Sequence, residues 1–426
     1  MDIQQFLDNH QLNADAIDTN AILDKFISEM KNGLADQDSS LAMIPSYITG
    51  EGQVPAHKPV IVLDAGGTNL RVCTVSFDEK GQEKIEHFTK HPMPGIDKEI
   101  SKETFYNTIC DYLEPVIDKS DSIGFCFSYA TQISPQKDGK LLSWSKEVKV
   151  PQAVGNYIGA ELLAALEKRG YQNKNIILLN DTVACLLAGK ALGEQRQCGG
   201  YIGFILGTGT NTAYVEANQN VSCVEANQGS QIINVESGNF DGFAQNDMDK
   251  HYDESTDNPG QHIFEKMISG RYLGDITLAA LHQAVKERIF NVKTLEFILQ
   301  IKKLETAQLS VFLENPYAQD AVFNAQSIDA GDLEKIYYLV LAIVTRAAKL
   351  TAINIATAII KSGKGHNPLH PVCINVDGST YHKLYGFRAK SEAYLADILQ
   401  ARHLYCEIIE VDNAPIIGSA IAGLVG

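Results

Sequence analysis

The chain has 426 residues, 45% of them hydrophobic, with a formal net charge of -16 and a pI of about 5.1. Nucleic acids and anionic membranes both require a basic surface, so neither is expected as a partner. The length predicts two or three domains with large cores. Eight scattered cysteines without a CxxC pair indicate reduced thiols, and residues 1–8 resemble no signal peptide, so we expect a cytoplasmic protein.

The first 57 residues are predicted to be helical, with Leu23, Phe26, Ile27 and Met30 on one face and Gly33 as an end signal. Strands and helices then alternate along the chain. Strands are predicted at 60–64, 70–77, 122–128 and 176–179, and helices at 101–119, 151–169 and 183–192. Turns are predicted at Lys80-Gly81 and Asp138-Gly139. This order predicts an α/β architecture.

The second half begins with another apolar strand and becomes mostly helical after about residue 260. A long helix is predicted to start at Asp332 and to stop before Gly363, since both residue types suit those ends. The chain then returns to a strand at 372–377.

An apolar strand runs into a glycine–threonine turn twice along the chain. The first turn is Asp64-Ala-Gly66-Gly67-Thr68-Asn69, and the second is Gly207-Thr208-Gly209-Thr210-Asn211. A looser third copy is Asp377-Gly378-Ser379. Glycines let the backbone approach a charged group closely, and successive turn amides favour anions. The repetition predicts a duplicated framework around one polyphosphate, whereas a single such turn would be weak evidence.

An ordered series of motifs resembles the hexokinase family, of the hexokinase and glucokinase type. The series is Met43-Ile-Pro45-Ser-Tyr47, Leu63-Asp64-Ala-Gly-Gly-Thr-Asn-Leu-Arg71-Val, Gly124-Phe-Cys-Phe-Ser128, Gly139-Lys-Leu-Leu-Ser-Trp144-Ser145-Lys146, Asn180-Asp181-Thr182-Val, Gly207-Thr208-Gly209-Thr210-Asn211, Ile233-Asn-Val-Glu236, Asn258-Pro-Gly-Gln-His-Ile-Phe-Glu265-Lys-Met-Ile-Ser-Gly-Arg-Tyr-Leu-Gly274 and Val376-Asp377-Gly378-Ser379-Thr-Tyr381. It covers most of the chain, and its order makes coincidence a poor explanation.

The resemblance implies a two-lobed, actin-like (ribonuclease H-like) ATPase fold with a cleft between a small and a large domain. The large domain would take the helical residues 1–57 and residues 180–412. The small domain would take residues 58–179 together with a returning carboxyl-terminal segment, 413–426.

Asp181 is the candidate general base for phosphoryl transfer. It stands where an apolar strand ends and a helix begins. From local sequence alone, Asp181 or Thr182 could simply cap that helix. The resemblance of Asn180-Asp181-Thr182-Val to the family's base motif favours the catalytic interpretation, and it implies that Lys146 contacts both the sugar and the transferring phosphoryl group.

The resemblance also implies a set of sugar contacts that combine donors and acceptors, as adjacent hydroxyls require. They are Ser128, Ser145, Lys146, Asn180, Asp181, Asn211, Glu236 and Glu265. For the two glutamates, a solvated surface charge is the alternative that local sequence would favour.

ATP with Mg²⁺ is the nucleotide that the family implies. The expected ATP-binding residues are Asp64, Gly66, Gly67, Thr68, Asn69, Gly207, Thr208, Thr306, Ser310, Gly378 and Ser379. Asp64 would order the Mg²⁺ through its water shell, because magnesium keeps several waters and is shared with substrate phosphates. Thr306 and Ser310 are the weaker assignments, since a Thr and a Ser at this spacing occur on many ordinary helices.

Several positions depart from the family pattern. Ala130 replaces a proline in the first sugar loop, Ser145 a threonine, Ser237 a tryptophan and His262 a glutamine. Ala414-Pro415-Ile416-Ile417 replaces a glycine-serine-glycine-lysine stretch, so a cationic nucleotide contact there is in doubt.

The predicted function is ATP-dependent phosphorylation of the 6-hydroxyl of glucose and related hexoses, with domain closure around the sugar. Two alternatives stay open: a kinase that prefers another hexose such as mannose or fructose, and a catalytically silent sugar-binding sensor on the same fold. The sequence leaves the oligomeric state open.

Overall fold

The computed structural model describes residues 2–49, 53–144, 148–225, 228–324 and 328–425, apart from the side chains of residues 194 and 195. The strands are β1 Ile44–Pro45, β2 Val60–Ala65, β3 Asn69–Phe77, β4 Glu83–Pro92, β5 Ser122–Phe127, β6 Ala130–Ile133, β7 Gly139–Ser143, β8 Asn175–Leu179, β9 Gly200–Leu206, β10 Thr210–Ala217, β11 Ser230–Asn234, β12 Val372–Asp377 and β13 Cys406–Ile409.

Helices cover most of the remaining chain. They are α1 Ile3–Asn9, α2 Thr19–Leu34, α3 Lys102–Leu113, α4 Ile158–Lys168, α5 Asp181–Gln195, α6 Asp247–Glu254, α7 Ile263–Ile268, α8 Leu273–Lys286, α9 Val292–Gln300, α10 Thr306–Glu314, α11 Ala330–Ser362, α12 Ser379–Lys383, α13 Phe387–Gln400 and α14 Ala414–Val425.

Eleven of these strands form two mixed sheets of similar plan, and β6 and β7 pair as a separate antiparallel ribbon. The first sheet has the order β4-β3-β2-β5-β8, and the second β1-β11-β10-β9-β12-β13. In each, one strand has an antiparallel hairpin partner on one side and a parallel strand on the other. In the first sheet β2 lies between β3 and the parallel β5, and in the second β9 lies between β10 and the parallel β12. Every residue of β2 is buried, as expected for a strand covered on both faces. The duplicated strand–loop framework and the α/β fold class are therefore confirmed.

The carboxyl-terminal helix α14 packs against the first sheet and against α5. Glycines allow this close approach. A Cβ atom at Gly418 would lie 1.9 Å from the Ala184 carbonyl oxygen of α5, and one at Gly124 of β5 would lie 1.9 Å from the Ser419 carbonyl oxygen. The helix therefore lies between the first sheet and the helix that carries Asp181 at its first position.

The long helix α11 forms the centre of the core around the second sheet. Its N-cap is Asp329, whose carboxylate accepts the Asp332 amide, and the helix begins at Ala330, two residues before the start predicted at Asp332. Its end is as predicted, because Gly363 adopts the left-handed conformation (φ 64°). The helix is long and apolar enough to cross a membrane, but 83% of its most apolar window is buried in the fold, which is the pattern of a core helix.

Four other predicted helix limits are wrong, one of them the end at Leu192, because α5 continues to Gln195. Gly33 lies inside α2, which ends one residue later at Leu34. The helix predicted at 101–119 ends at Leu113 and is followed by a 3-10 turn, and the one predicted at 151–169 begins at Ile158 after another 3-10 turn that starts with Pro151. In both cases one apolar pattern runs through a turn and a helix, which periodicity alone does not separate.

Candidate active site

Three glycine loops follow the strands at the centres of the two sheets. The first links β2 to β3, the second links β9 to β10, and the third links β12 to α12. The second and third meet: a Cβ atom at Gly207 would lie 3.7 Å from the Gly378 Cα. Gly378 has φ 119°, and a Cβ atom there would lie 2.3 Å from the Leu206 carbonyl, so only glycine fits.

The first loop is fixed by a carboxylate–guanidinium pair and by a tyrosine. Asp64 is buried, and its Oδ2 accepts a hydrogen bond from Arg71 Nη1 at 2.5 Å across the β2–β3 hairpin. The Tyr129 hydroxyl donates to the Gly66 carbonyl at 2.8 Å. Tyr129 directly follows Ser128, so the sugar loop and the first glycine loop are held together.

Asp181 is the first residue of α5, and Asn180 caps that helix. The Asn180 Oδ1 accepts the Thr182 amide at 2.9 Å, whereas the Asp181 Oδ1 accepts the Thr182 hydroxyl at 3.3 Å. The capping role that local sequence offered for Asp181 or Thr182 therefore belongs to Asn180. This leaves the Asp181 carboxylate at the end of β8, facing the ends of the two sheets.

Four carboxyl groups of the site, Asp64 fully buried and the other three half-buried, have raised pKa values. Burial is the first cause that raises the pKa values of Asp64, Glu236, Glu265 and Asp377. The charge of Asp181 adds to that increase for Asp64, Glu236 and Asp377. Asp181 is thus electrostatically close to carboxylates from two of the three glycine-loop strands, β2 and β12, and from the predicted sugar site. Such a cluster favours a cation or a set of hydroxyl donors.

The predicted sugar contacts on the second sheet form one hydrogen-bonded group. Glu236 Oε1 accepts from Asn211 Nδ2 at 3.1 Å and from Asn234 Nδ2 at 2.8 Å. Glu236 holds a left-handed backbone (φ 56°), which is costly for a residue with a side chain and is concentrated at functional sites. The amides orient the carboxylate, and its second oxygen makes no hydrogen bond among the described contacts.

Glu265 reaches the second glycine loop from α7. Its Oε2 accepts the Thr210 amide at 2.9 Å, so the loop and the carboxylate are locked together. The next residue, Lys266, is almost fully buried and contacts Asp253 Oδ1 at 2.5 Å and the Asn258 carbonyl at 2.8 Å. Lys266 therefore anchors the loop 255–262 that precedes Glu265. His262 in this loop is exposed and precedes α7.

A cavity of about 520 Å³ opens beside the second and third loops. Four predicted nucleotide residues line it: Thr208, Thr306, Ser310 and Ser379. Two of their hydroxyls already have protein partners. Thr306 Oγ1 donates to the Gly270 carbonyl at 2.7 Å, and Ser310 Oγ donates to the Lys383 carbonyl at 3.1 Å. These residues shape the wall of the cavity, and their hydroxyl protons are committed elsewhere.

A larger cavity of about 620 Å³ lies next to this one, on the other side of Asp275. It is lined by His10, His251 and His282 among others, and no glycine loop contributes to it. The smaller cavity is therefore the one that adjoins the glycine loops.

The other predicted sugar contacts are Ser128, Ser145 and Lys146. Ser128 Oγ lies 4.0 Å from the buried Cys126 sulfur, at the end of β5. Ser145 and Lys146 lie outside the described residues, whereas the preceding Trp144 packs edge-on against Tyr129 with ring centroids 5.0 Å apart. No group of three or more potential metal ligands occurs among the residues that the structure describes, so a dedicated metal cage is absent there.

Two departures from the family pattern have structural explanations. Ser237 is fully buried, and its hydroxyl lies within 3.1 Å of Thr212 Oγ1 and 3.2 Å of Asn354 Nδ2, so it forms a polar network in the core. Residues 414–417 form the first turn of α14, where Ala414, Ile416 and Ile417 are buried. This segment is a packed helix and supplies no side chain of positive charge.

Sequence reasoning assigned no role to Arg71, Tyr129 or Asn234. Arg71 could have been found from hairpin register, because a short loop places it opposite Asp64. The Tyr129–Gly66 and Asn211–Asn234 hydrogen bonds join segments far apart in sequence, so no local pattern reveals them, whereas the Asn234–Glu236 bond spans only two residues.

Comparison with known proteins identifies the family. Two family models described as Hexokinase match residues 2–191 and 201–425. Hexokinase-7 of Oryza sativa is 30% identical over 404 residues, which are 87% of this chain and 85% of that protein. Hexokinase-1 of Schizosaccharomyces pombe is 28% identical over 402 residues, covering 89% and 81%. Human Hexokinase-2 is 28% identical over 388 residues, covering 84% of this chain and 41% of that protein.

Solved structures agree on the fold. A hexokinase from Schistosoma mansoni, complexed with glucose, superimposes with a TM-score of 0.79 over 99% of this chain at 24% identity. The architecture is therefore that of the two-lobed, actin-like sugar kinases, as the resemblance implied. The chain belongs to the hexokinase family, and it spans less than half the length of the mammalian relatives that it matches.

Proposed function

We propose that this protein transfers the terminal phosphoryl group of ATP to the 6-hydroxyl of glucose and related hexoses. The observation that carries the proposal is the position of Asp181. It lies within electrostatic range of Asp64 on the phosphate side and of Glu236 on the sugar side. A base that removes the hydroxyl proton must stand where the two substrates meet.

The sugar would be held by groups from both sheets. Glu236 and Glu265 would accept hydrogen bonds from its hydroxyls, Asn180 and Asn211 would donate and accept, and Ser128 would approach from the first sheet. Because Asn211, Asn234 and the Thr210 amide already orient the two glutamates, these acceptors are positioned before the sugar arrives.

The nucleotide would place its phosphates against the amides of the three glycine loops. The donor set suits Mg²⁺ with a retained hydration shell: Asp64 is a buried carboxylate within electrostatic range of the Asp181 carboxylate, and a cation would relieve their repulsion. When bound, Mg²⁺ would neutralise part of the phosphate charge. Lys146 is the proposed second source of positive charge on the transferring group.

Turnover can be measured in a coupled assay with ATP, magnesium and a panel of sugars at equal concentration. Glucose should be phosphorylated, and the order of rates among glucose, mannose and fructose gives the preference. In Asp181→Asn, kcat should fall by at least about a hundredfold, the lower end of what a general base contributes, while glucose still binds by calorimetry.

The matched control for this test is Asp118→Asn, an exposed aspartate of the 3-10 turn 117–119, which should keep wild-type turnover. Undiminished kcat in Asp181→Asn would remove the assigned base. Heat of glucose binding without any sugar phosphate in the wild-type protein would instead support the silent sensor.

A further inference from the structure

Tyr129 joins the segment that carries Ser128 to the first glycine loop. The parallel pairing of β2 with β5 ends at Ala65, whose carbonyl also accepts the Ser128 amide at 3.3 Å. One residue further along both segments, the Tyr129 hydroxyl donates to the Gly66 carbonyl at 2.8 Å, and the Gly67 carbonyl lies 3.5 Å from it. The tyrosine therefore continues the link between the two segments beyond the end of the sheet.

The Tyr129 side chain is held in place by its surroundings. It is 3% exposed, and its ring packs against Phe127 and Trp144, whose ring centroids lie 4.8 and 5.0 Å away. Trp144 is fixed in turn, because its indole nitrogen donates to the Val150 carbonyl at 2.8 Å. Burial raises the pKa of Tyr129, so its hydroxyl stays protonated at physiological pH and keeps its role as a donor.

The first glycine loop, which receives this hydrogen bond, is only loosely packed. Gly66 and Gly67 are half-buried, and Thr68 is exposed. A Cβ atom at Gly66 would meet no heavy atom closer than 3.7 Å, so no close packing confines this residue. Glycine backbone also has more conformations available than that of any other residue. A hydrogen bond from a fixed donor therefore has a large effect on where this loop lies.

The backbone on the sugar side of this link is also weakly constrained. Ala130 is exposed and stands where the family pattern has a proline, which would fix its φ angle. The pairing of β6 with β7 is irregular between Ala130 and Thr131. The tyrosine is thus the firm connection between two segments that have few other constraints.

We propose that Tyr129 is a positioning residue that couples the binding of the two substrates. A sugar bound at Ser128 would hold the tyrosine, and the tyrosine would hold the first glycine loop in the conformation that receives the phosphates. Because linked binding free energies are reciprocal, the nucleotide should strengthen sugar binding by the same factor. This inference rests on the proposed function for the identity of both substrates.

The test measures the Kd values of glucose and of a nucleotide by calorimetry, each alone and with the other ligand saturating. The nucleotide is an ATP analogue with an NH group in place of the β–γ bridging oxygen, with excess magnesium, so that no transfer takes place. In the wild-type protein, glucose should lower the Kd of the analogue at least about tenfold. Tyr129→Phe removes only the hydroxyl and should reduce this coupling factor about fivefold, the usual effect of one hydrogen bond. The Kd for glucose alone should stay within about twofold of wild type, which separates lost coupling from a damaged sugar site.

Tyr106→Phe is the matched control for this substitution. Tyr106 is also 3% exposed and belongs to the same hydrophobic core as Tyr129, but its hydroxyl has no hydrogen-bond partner among the described residues. The control should keep the wild-type coupling factor. A factor in Tyr129→Phe that stays within twofold of wild type would overturn the positioning role, and so would a wild-type protein without coupling. An equal fall in Tyr106→Phe would also overturn it, because the effect would then come from the core as a whole.

The two proposals fail separately in this design. If coupling depends on the Tyr129 hydroxyl but the wild-type protein forms no sugar phosphate from ATP, the proposed function fails and the positioning role stands. If the wild-type protein phosphorylates hexoses while Tyr129→Phe keeps the full coupling factor, the function stands and the positioning role is wrong.

Discussion

Single residues at the site show a conflict between stability and function. Glu236 has a left-handed backbone and lies beside other carboxylates, and burial is the main cause of its raised pKa. Without a ligand, its negative charge is therefore unfavourable in the folded protein. A site that must accept several hydroxyl protons requires such preformed acceptors, and their repulsion is a cost to the unliganded fold.

We expect Glu236→Gln to stabilise the ligand-free protein by about 1 kcal/mol at pH 7, because the amide keeps an acceptor oxygen and carries no charge. A carboxyl group with a raised folded-state pKa contributes stability that is full below the unfolded-state pKa, about 4.3, and is lost as the pH rises through the folded-state value. The advantage of the variant should therefore shrink as the pH falls from 7 toward 4.

Denaturant unfolding at several pH values measures this difference, and calorimetry measures glucose binding, which should weaken in the same variant. Glu296→Gln, on the exposed face of α9, is the control and should behave like wild type at every pH. An advantage that stays constant with pH, or a less stable variant at pH 7, would contradict the electrostatic explanation.

At the scale of single residues, the sequence predicted which residue types form the site better than it predicted their hydrogen-bond partners. The motif Asn180-Asp181-Thr182 predicted the carboxylate at the strand end, but only the structure shows that Asn180 caps α5. Arg71 and Asp64 are seven residues apart and follow from hairpin register, whereas Glu236 and Asn211 are twenty-five apart and meet through sheet pairing. Contacts set by long-range pairing have no local signal.

The element that most constrains the site is α14, which packs between the first sheet and α5. The sequence analysis assigned residues 413–426 to the small domain, but the series of motifs stopped before them, so the closeness of α14 to α5 appeared only in the structure. Its backbone meets that of α5 at Gly418, where a Cβ atom would lie 1.9 Å from the Ala184 carbonyl oxygen. Any side chain at position 418 must push the two helices apart.

Gly418→Ala is expected to lower the free energy of unfolding by about 1–3 kcal/mol, the usual cost of overpacking a core. Because α5 begins with Asp181, displacement of α5 by the added methyl group should also lower kcat. The effect on the Kd for ATP should be smaller. Gly331→Ala is the matched control: it lies in the first turn of α11, and the nearest heavy atom to the new Cβ is 3.4 Å away. Helix propensity should make that control neutral or slightly stabilising.

Denaturant unfolding and the coupled assay measure both effects of these substitutions. If Gly418→Ala unfolded at the same denaturant concentration as wild type, α14 would have room to move away from α5 at no cost. Normal kcat in a clearly destabilised Gly418→Ala protein would show that Asp181 keeps its place when α14 shifts.

At the scale of the whole molecule, the proposed substrate contacts come from two sheets. Ser128 and the first glycine loop belong to the first sheet, while Glu236, Glu265 and the other two loops belong to the second sheet and the helices around it. The amino-terminal helices share their core with the second sheet, and β1 pairs with β11. The chain leaves the second sheet between β1 and β2, returns to it through α5 between β8 and β9, and comes back to the first sheet with α14.

A site divided in this way predicts that the two sheets approach each other when the sugar binds, since its contacts are complete only when both sides reach it and water is excluded. Small-angle scattering should show a smaller radius of gyration with saturating glucose than without it. Asp181→Asn should still become more compact, because closure depends on binding and not on turnover. Glu236→Gln should need more glucose for the same change, since it loses a sugar acceptor. An unchanged radius of gyration at glucose concentrations that calorimetry shows to be saturating would mean that the protein binds the sugar without closing, and that the site is already assembled in the free molecule.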